Sequence, residues 1–165
     1  MPKNSEMKLP DLSHVGIVVR DIKQTVDHYT RAFGLGPCEI FTYNADQLLY
    51  KGKPASSRIL AALVNTGPVE LHIMQPLDEG PLTEFLEKNG DGVHHLCFLV
   101  DDVDPWIYHM KGLGKEPVIR IERQDSKLGR VRVAYLDSKS GPLFELLEYE
   151  NMPQTKKRNQ RREKR

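Results

Sequence analysis

Several features that often reveal function are scarce in this 165-residue chain. It has two cysteines, Cys38 and Cys97, whose wide separation excludes a CxxC motif and favours reduced thiols in a cytoplasmic protein. No apolar run reaches 18 residues, so no membrane span is expected. The polar start, Met1–Lys8, lacks the apolar stretch of a secretory signal. The net charge of +1 indicates no particular class of partner.

Charge is unevenly distributed along the chain. Residues 156–165 hold seven basic groups and one acid, which leaves 17 of 24 basic and 22 of 23 acidic groups in the remainder, a net charge of −5. We expect residues 151–165 to be a basic, disordered tail and residues 1–11 a flexible lead-in. Only the tail favours nucleic-acid binding, and it lacks interleaved aromatic residues or a recognisable module, so we expect no nucleic-acid partner.

The most informative feature is an internal repeat. His14-Val-Gly-Ile-Val-Val-Arg-Asp21 and His95-Leu-Cys-Phe-Leu-Val-Asp-Asp102 are both short apolar runs between a histidine and an acid, and a helical pattern follows each. Apolar alternation beyond them predicts the order βαβββ twice, with modules at about 12–77 and 92–150 in one α+β domain, 12–150.

Local signals set the predicted element boundaries. Asp21 and Gln24 form a capping box for the first helix, and Asp102 or Asp104 caps the helix of the second module, with Pro105 in its first turn. Strands are predicted at 38–43 and 58–64, and between them a long loop, Tyr43–Ser57, rich in Gly, Pro and Ser. A long loop in a small domain is often a lid or a binding segment.

Four residues on corresponding strands are candidate metal ligands. One histidine on a strand is usually an ordinary structural residue, but Glu145 lies in an apolar run where an unpartnered carboxylate is costly to bury. Three imidazoles and a carboxylate suit a divalent transition metal such as Zn, Co, Mn, Ni or Fe rather than Ca. The candidates are His14, His72, His95 and Glu145.

The remaining histidines are weaker candidates. His94 neighbours His95, so alternation along a strand directs it to the opposite face, where core packing or support of a ligand is expected. His28 and His109 fall on predicted helices and are expected to face solvent.

With these residues in view, the chain resembles the vicinal oxygen chelate superfamily, the group of glyoxalases, epimerases and dioxygenases, over about residues 12–150. The segment from Pro76 to Leu96, with its Gly-x-His-His element, is most similar to methylmalonyl-coenzyme A epimerases. The resemblance implies paired βαβββ modules in an open, cupped barrel with helices outside, and it suggests a homodimer. It also implies that the four candidates above surround one metal ion.

The sequence departs from the epimerase pattern at two places. His72 stands where the epimerases usually have Gln or Glu, although imidazole is a competent ligand. The epimerases carry an acid that acts as a base on the preceding strand, and the matching position near Leu60–Ala62 is apolar. Other candidate bases are Glu39, Asp46 and Glu70, of which Glu70 shares the strand face of His72.

Three functions remain open from the sequence. The first is an epimerase or isomerase that acts on a small acyl-CoA through a metal-stabilised enolate, with Glu145 and Glu70 as catalytic candidates. The second is another metal enzyme on the same scaffold, either a glyoxalase-type lyase or an extradiol dioxygenase. In a dioxygenase, His14, His95 and Glu145 could hold Fe(II). The third is a metal-free protein that binds a small molecule or confers resistance, against which the intact ligand set argues.

Overall fold

The structure, a computed structural model, describes residues 7–152 of the chain. Most of the predicted N-terminal lead-in 1–11 and of the predicted basic tail 151–165 therefore lies outside the described residues. The described part has this element order: β1 Leu12–Val18, α1 Ile22–Phe33, β2 Ile40–Tyr50, β3 Lys53–Asn65, β4 Glu70–Pro76, α2 Pro81–Asn89, β5 Gly92–Leu99, α3 Asp104–Gly112, β6 Ile119–Asp125, β7 Gly129–Leu136 and β8 Leu143–Tyr149. Two βαβββ modules joined by α2 confirm the predicted α+β class.

The eight strands form a barrel in the order β1-β4-β3-β2-β6-β7-β8-β5. The modules meet where β1 pairs with β5 in antiparallel orientation, and each of these strands pairs in parallel with the last strand of its own module. The strands β4, β1, β5 and β8 are therefore contiguous. On the far side β2 and β6 pair over three residues, 48–50 with 119–121, and this pairing closes the circle.

The helices pack outside the barrel over apolar side chains. Asp21 caps α1 as predicted, because its carboxylate accepts the backbone N–H of Gln24, and Gly34 ends the helix in a left-handed conformation at φ 67°. The N-cap position of α3 lies one residue from either of the predicted caps, Asp102 and Asp104. Val103 occupies the N-cap position and is 2% exposed. Asp102, one residue earlier, accepts the backbone N–H of Asp104 at 2.9 Å and so satisfies a donor of the first turn, as a capping side chain does.

The predicted loop Tyr43–Ser57 was also wrong, since this segment is the outer part of a long β2–β3 hairpin. The hairpin covers residues 40–65, 26 in all, whereas its counterpart in the second module covers 119–136, or 18, so the eight extra residues lengthen the strands. Lys51 (φ 50°) and Gly52 (φ 77°) form a two-residue turn with positive φ at both positions. A register shift between Ala45 and Leu48 bends β2, and the lengthened strand reaches β6.

Candidate metal centre

The four contiguous strands bring the predicted ligands together inside the barrel. Glu145 Oε2 lies 3.0 Å from His14 Nε2 and 3.1 Å from His95 Nε2, and the two Nε2 atoms are 3.3 Å apart. A ring nitrogen of His72 joins those of the other two histidines within 4.8 Å. His14, His95 and Glu145 are buried, and His72 is half-buried where β4 faces the cavity.

The charge arrangement around Glu145 fits a cation. Burial alone would raise the pKa of this carboxyl, but the attraction of His95 and His14 outweighs burial and holds the pKa well below its usual range. Its Oε2 is nevertheless a buried oxygen with no hydrogen-bond partner of good geometry among the described residues. Buried polar atoms are rarely left without partners, so this oxygen indicates a ligand at the site. Imidazole nitrogens and a carboxylate oxygen that converge on one place suit a divalent transition metal.

Gly16 gives His95 its place in the centre. A Cβ built on Gly16 would lie 2.0 Å from Cε1 and 2.2 Å from Nε2 of the His95 ring. Gly16 pairs directly with His95 across the β1–β5 ladder, and the imidazole occupies the space that a side chain at position 16 would need. This contact gives the His-x-Gly pattern of β1 a physical reason.

Strict alternation predicted that His94 points away from the site, and this prediction was wrong. The β1–β5 register passes from Gly16–His95 to Ile17–Val93, so His94 occupies a β-bulge and both histidines are buried. The two Nδ1 atoms are 2.9 Å apart. Burial, and then the neighbouring His95, lowers the pKa of His94 to about 3. A neutral His94 can accept the Nδ1–H of His95, which leaves His95 Nε2 free of a proton.

Tyr135 and Cys97 also border the centre, and sequence reasoning assigned no role to Tyr135. Tyr135 pairs with Glu145 across the β7–β8 ladder, and its ring meets the His95 ring edge-on with centroids 5.1 Å apart. Burial, followed by the charge of Glu145, raises the pKa of Tyr135 well above its usual value, so the phenol stays protonated. Cys97 Sγ lies within 4.8 Å of ligand atoms of His14 and Glu145. Cys97 lies two residues after His95 on β5, so strand alternation could have indicated its position.

The centre opens into a cavity of about 290 Å³ inside the barrel. Most of its wall is apolar and comes from β2, β3, β6, β7 and the start of α2. Among the three candidate bases only Glu70 lines this cavity, since Glu39 and Asp46 are exposed elsewhere. Strand β3 contains no acid. Ala61 and Ala62 are fully buried near the position where the epimerases carry their acid.

The other histidines follow the expectations from sequence: His28 and His109 are exposed on α1 and α3. Neither Cys38 nor Cys97 forms a disulfide within the described residues. Within residues 7–152, none of the helices is long and apolar enough to cross a membrane.

Comparisons with known proteins agree with this architecture. The sequence model of the Glyoxalase/Bleomycin resistance protein/Dioxygenase superfamily matches residues 13–135. The crystal structure of methylmalonyl-CoA epimerase from Mycobacterium tuberculosis is similar with a TM-score of 0.63 and 27% identity over 89% of this chain and 91% of that one. A Streptomyces coelicolor methylmalonyl-CoA epimerase in complex with 2-nitronate-propionyl-CoA is similar with a TM-score of 0.59 and 27% identity over 87% and 99%.

A relative of a different activity also matches. The chain is 32% identical over 126 residues to 4-hydroxyphenylpyruvate dioxygenase from Caenorhabditis briggsae, a match that covers 74% of this chain. It spans 30% of the length of that dioxygenase, whereas it spans most of both epimerases.

Proposed function

Because the chain belongs to the Glyoxalase/Bleomycin resistance protein/Dioxygenase superfamily, we propose that it is a metal-dependent isomerase that epimerises a small acyl-coenzyme A. The observation that carries the proposal is the convergence of His14, His95 and Glu145 within 3.3 Å, beside His72, at the wall of a largely apolar cavity. The full-length match to epimerases of 27% identity supports this choice of reaction.

His14, His72, His95 and Glu145 are the residues that would hold the metal. A divalent ion bound there acts as a Lewis acid, which stabilises negative charge on a substrate carbonyl oxygen. Glu145 is the single carboxylate among the four proposed ligands, so the loaded centre keeps a net positive charge and favours an anionic form of the substrate. His94, whose Nδ1 lies 2.9 Å from His95 Nδ1, would orient His95, and Tyr135, which pairs with Glu145 across the β7–β8 ladder, would orient Glu145.

Glu70 is the residue we propose for proton transfer. It lies two residues before His72 on β4, which places both side chains on one strand face about 7 Å apart along the strand. It is half-buried and lines the cavity, so its carboxylate can accept the proton from the carbon next to the thioester, and return of a proton to the opposite face of the planar enolate would complete the inversion. The apolar wall around the reacting carbon excludes water and protects the carbanion from unwanted protonation.

Deuterium exchange tests this proposal. Methylmalonyl-CoA incubated in D₂O with the metal-supplemented enzyme should acquire deuterium at the α carbon. Mass spectrometry measures this incorporation. We expect Glu70→Gln to slow exchange by about 100-fold or more while retaining metal. Asp46→Asn is the matched control, because Asp46 is an exposed carboxylate on β2, and it should exchange at the wild-type rate. Absence of exchange in the metal-loaded wild type would rule out an epimerase for this substrate.

One observation favours a second candidate, a dioxygenase. Glu145 Oε2 lies 3.0 Å and 3.1 Å from the two buried histidines, His14 and His95, so these three residues resemble the set of two histidines and a carboxylate that binds Fe(II) in oxygenases. In this case His72 would be a residue of the pocket. Oxygen uptake by the iron-loaded protein with a catechol or an aromatic α-keto acid, without α-proton exchange, would favour this candidate.

A further inference from the structure

We propose that Arg123, backed by Tyr43, binds an anionic group of the substrate at the end of the cavity remote from the metal centre. The ligand chemistry is a group of anionic oxygens, either a carboxylate or a phosphate. The identity of the substrate as an acyl-CoA rests on the proposed function. The anion site itself depends on the geometry of β6 and the β6–β7 turn.

The placement of Arg123 inside the barrel is unusual for its strand. Ile119, Ile121 and Arg123 alternate along β6 and all line the main cavity, whereas Arg120 and Glu122 line a separate outer cleft. Among the described residues that line the main cavity, Arg123 is the one Lys or Arg. A cation in a mostly apolar wall needs polar partners; Asp125 supplies one, and a substrate in the cavity can supply another.

The guanidinium of Arg123 is held in place before any ligand binds. Its Nη1 donates to Asp125 Oδ2 at 2.9 Å, and Cζ lies 5.3 Å from the centre of the Tyr43 ring. Asp125 is itself fixed, because its other oxygen accepts the backbone N–H groups of Lys127 and Leu128 at 2.8 and 2.9 Å.

A guanidinium has five N–H donors, and the bond to Asp125 uses one side of it. The Arg123 side chain is 30% exposed, so a ligand in the cavity can reach the remaining donors. A rigid, partly accessible fork of this kind suits planar carboxylate or tetrahedral phosphate oxygens, which it can bind through two N–H groups.

Strand register gives the separation of the two sites. Arg123 pairs with Val131, which pairs with Tyr149, four residues from Glu145 on β8. This corresponds to about 13 Å along β8 and about 10 Å across two strands, before inward side chains shorten the gap. The anion at Arg123 is therefore distinct from any oxygen at the metal centre. A substrate that reaches both carries a chelating head and a second anionic group, separated by on the order of 10 Å.

Calorimetric titration of the full chain tests the inference. The probes are glutarate, inorganic phosphate, coenzyme A and pantetheine, the last of which lacks phosphate. The variants are Arg123→Met, Arg123→Lys, and Arg120→Met as a matched control on the same strand but in the outer cleft. We expect Arg123→Met to weaken anion binding at least 10-fold, Arg123→Lys to weaken it less, and Arg120→Met to leave it within twofold. Metal content and thermal midpoint should stay at wild-type values in Arg123→Lys.

The probes also distinguish the sources of the anion. Dependence on Arg123 with glutarate supports a carboxylate, and dependence with coenzyme A but not pantetheine supports a phosphate. Equal affinity of wild type and both Arg123 variants for every probe would overturn the inference, as would equal weakening in Arg120→Met. Because these titrations need no turnover, a wild type that binds anions through Arg123 but exchanges no α proton would refute the proposed epimerase and leave the anion site standing.

Discussion

Gly16→Ala is the substitution for which the structure gives the sharpest prediction. The added methyl carbon would lie 2.0–2.4 Å from three atoms of the His95 ring, whereas ordinary contacts begin near 3.5 Å. The ring must therefore move by more than about 1 Å. It is 0% exposed, and it contacts His94 and Glu145 at 2.9 and 3.1 Å, so it cannot move without disturbing them.

Two consequences follow from this displacement. Overpacking should lower the free energy of unfolding by about 1–3 kcal/mol. Metal–ligand distances tolerate shifts of only about 0.2 Å, so we expect metal affinity to fall by about 100-fold or more. Competition with a chromophoric chelator measures the affinity, and urea unfolding measures the stability.

The matched control is Gly92→Ala on the neighbouring strand β5. A Cβ there meets no atom within 4 Å and the backbone has no positive φ, so stability and metal affinity should stay near wild type. If Gly16→Ala binds metal within twofold of wild type, the account of how Gly16 and His95 fit together is refuted.

Three further predictions follow from other parts of the structure. His94→Phe keeps a ring but removes the 2.9 Å contact to His95 Nδ1, so chelator competition should show metal binding weakened by about 10–100-fold, and unchanged affinity would exclude this supporting role. Gly52→Ala should cost about 1 kcal/mol in urea unfolding, because φ is 77° in open space and the strain is purely conformational; no loss would argue against the two-residue turn. Backbone N–H groups lower the pKa of Asp125 to about 2, so the stability that wild type holds over Asp125→Asn should be full above the unfolded pKa near 4 and fade as pH falls towards about 2. A difference that grows on acidification would contradict that sign.

The repeat made most of the fold predictable. Strand β1, the cap of α1 by Asp21 and the order βαβββ all follow from local pattern, and the symmetry of the modules then places four side chains on contiguous strands. This is why His14 and Glu145, 131 residues apart in sequence, could be expected to meet.

The long hairpin was missed because its strands are built from weak strand formers. Asn44, Asp46 and Gln47 in β2 favour a loop by propensity. Cross-strand pairing, a bulge and the Lys51–Gly52 turn override that preference, and sequence periodicity cannot show such long-range pairing.

The position of His94 and the roles of Tyr135 and Arg123 were missed for related reasons. A bulge at His94 breaks the alternation on which the face assignment relied. Tyr135 and Arg123 face the interior of a barrel that closes through the long hairpin. The sequence predicted an open barrel, which gives no reason to direct both side chains into one cavity.

Metal stoichiometry shows whether His14, His72, His95 and Glu145 hold an ion. The full chain should be purified from metal-supplemented medium and its content measured by plasma mass spectrometry, for wild type, Glu145→Gln and Glu148→Gln. Glu148 is a buried glutamate of the same strand that contacts Arg132 instead of the histidines, so it controls for loss of a buried carboxylate. We predict about one divalent transition metal per chain in wild type and Glu148→Gln, and a strong loss in Glu145→Gln. A wild type without metal, or a Glu145→Gln protein that retains it fully, would contradict the account.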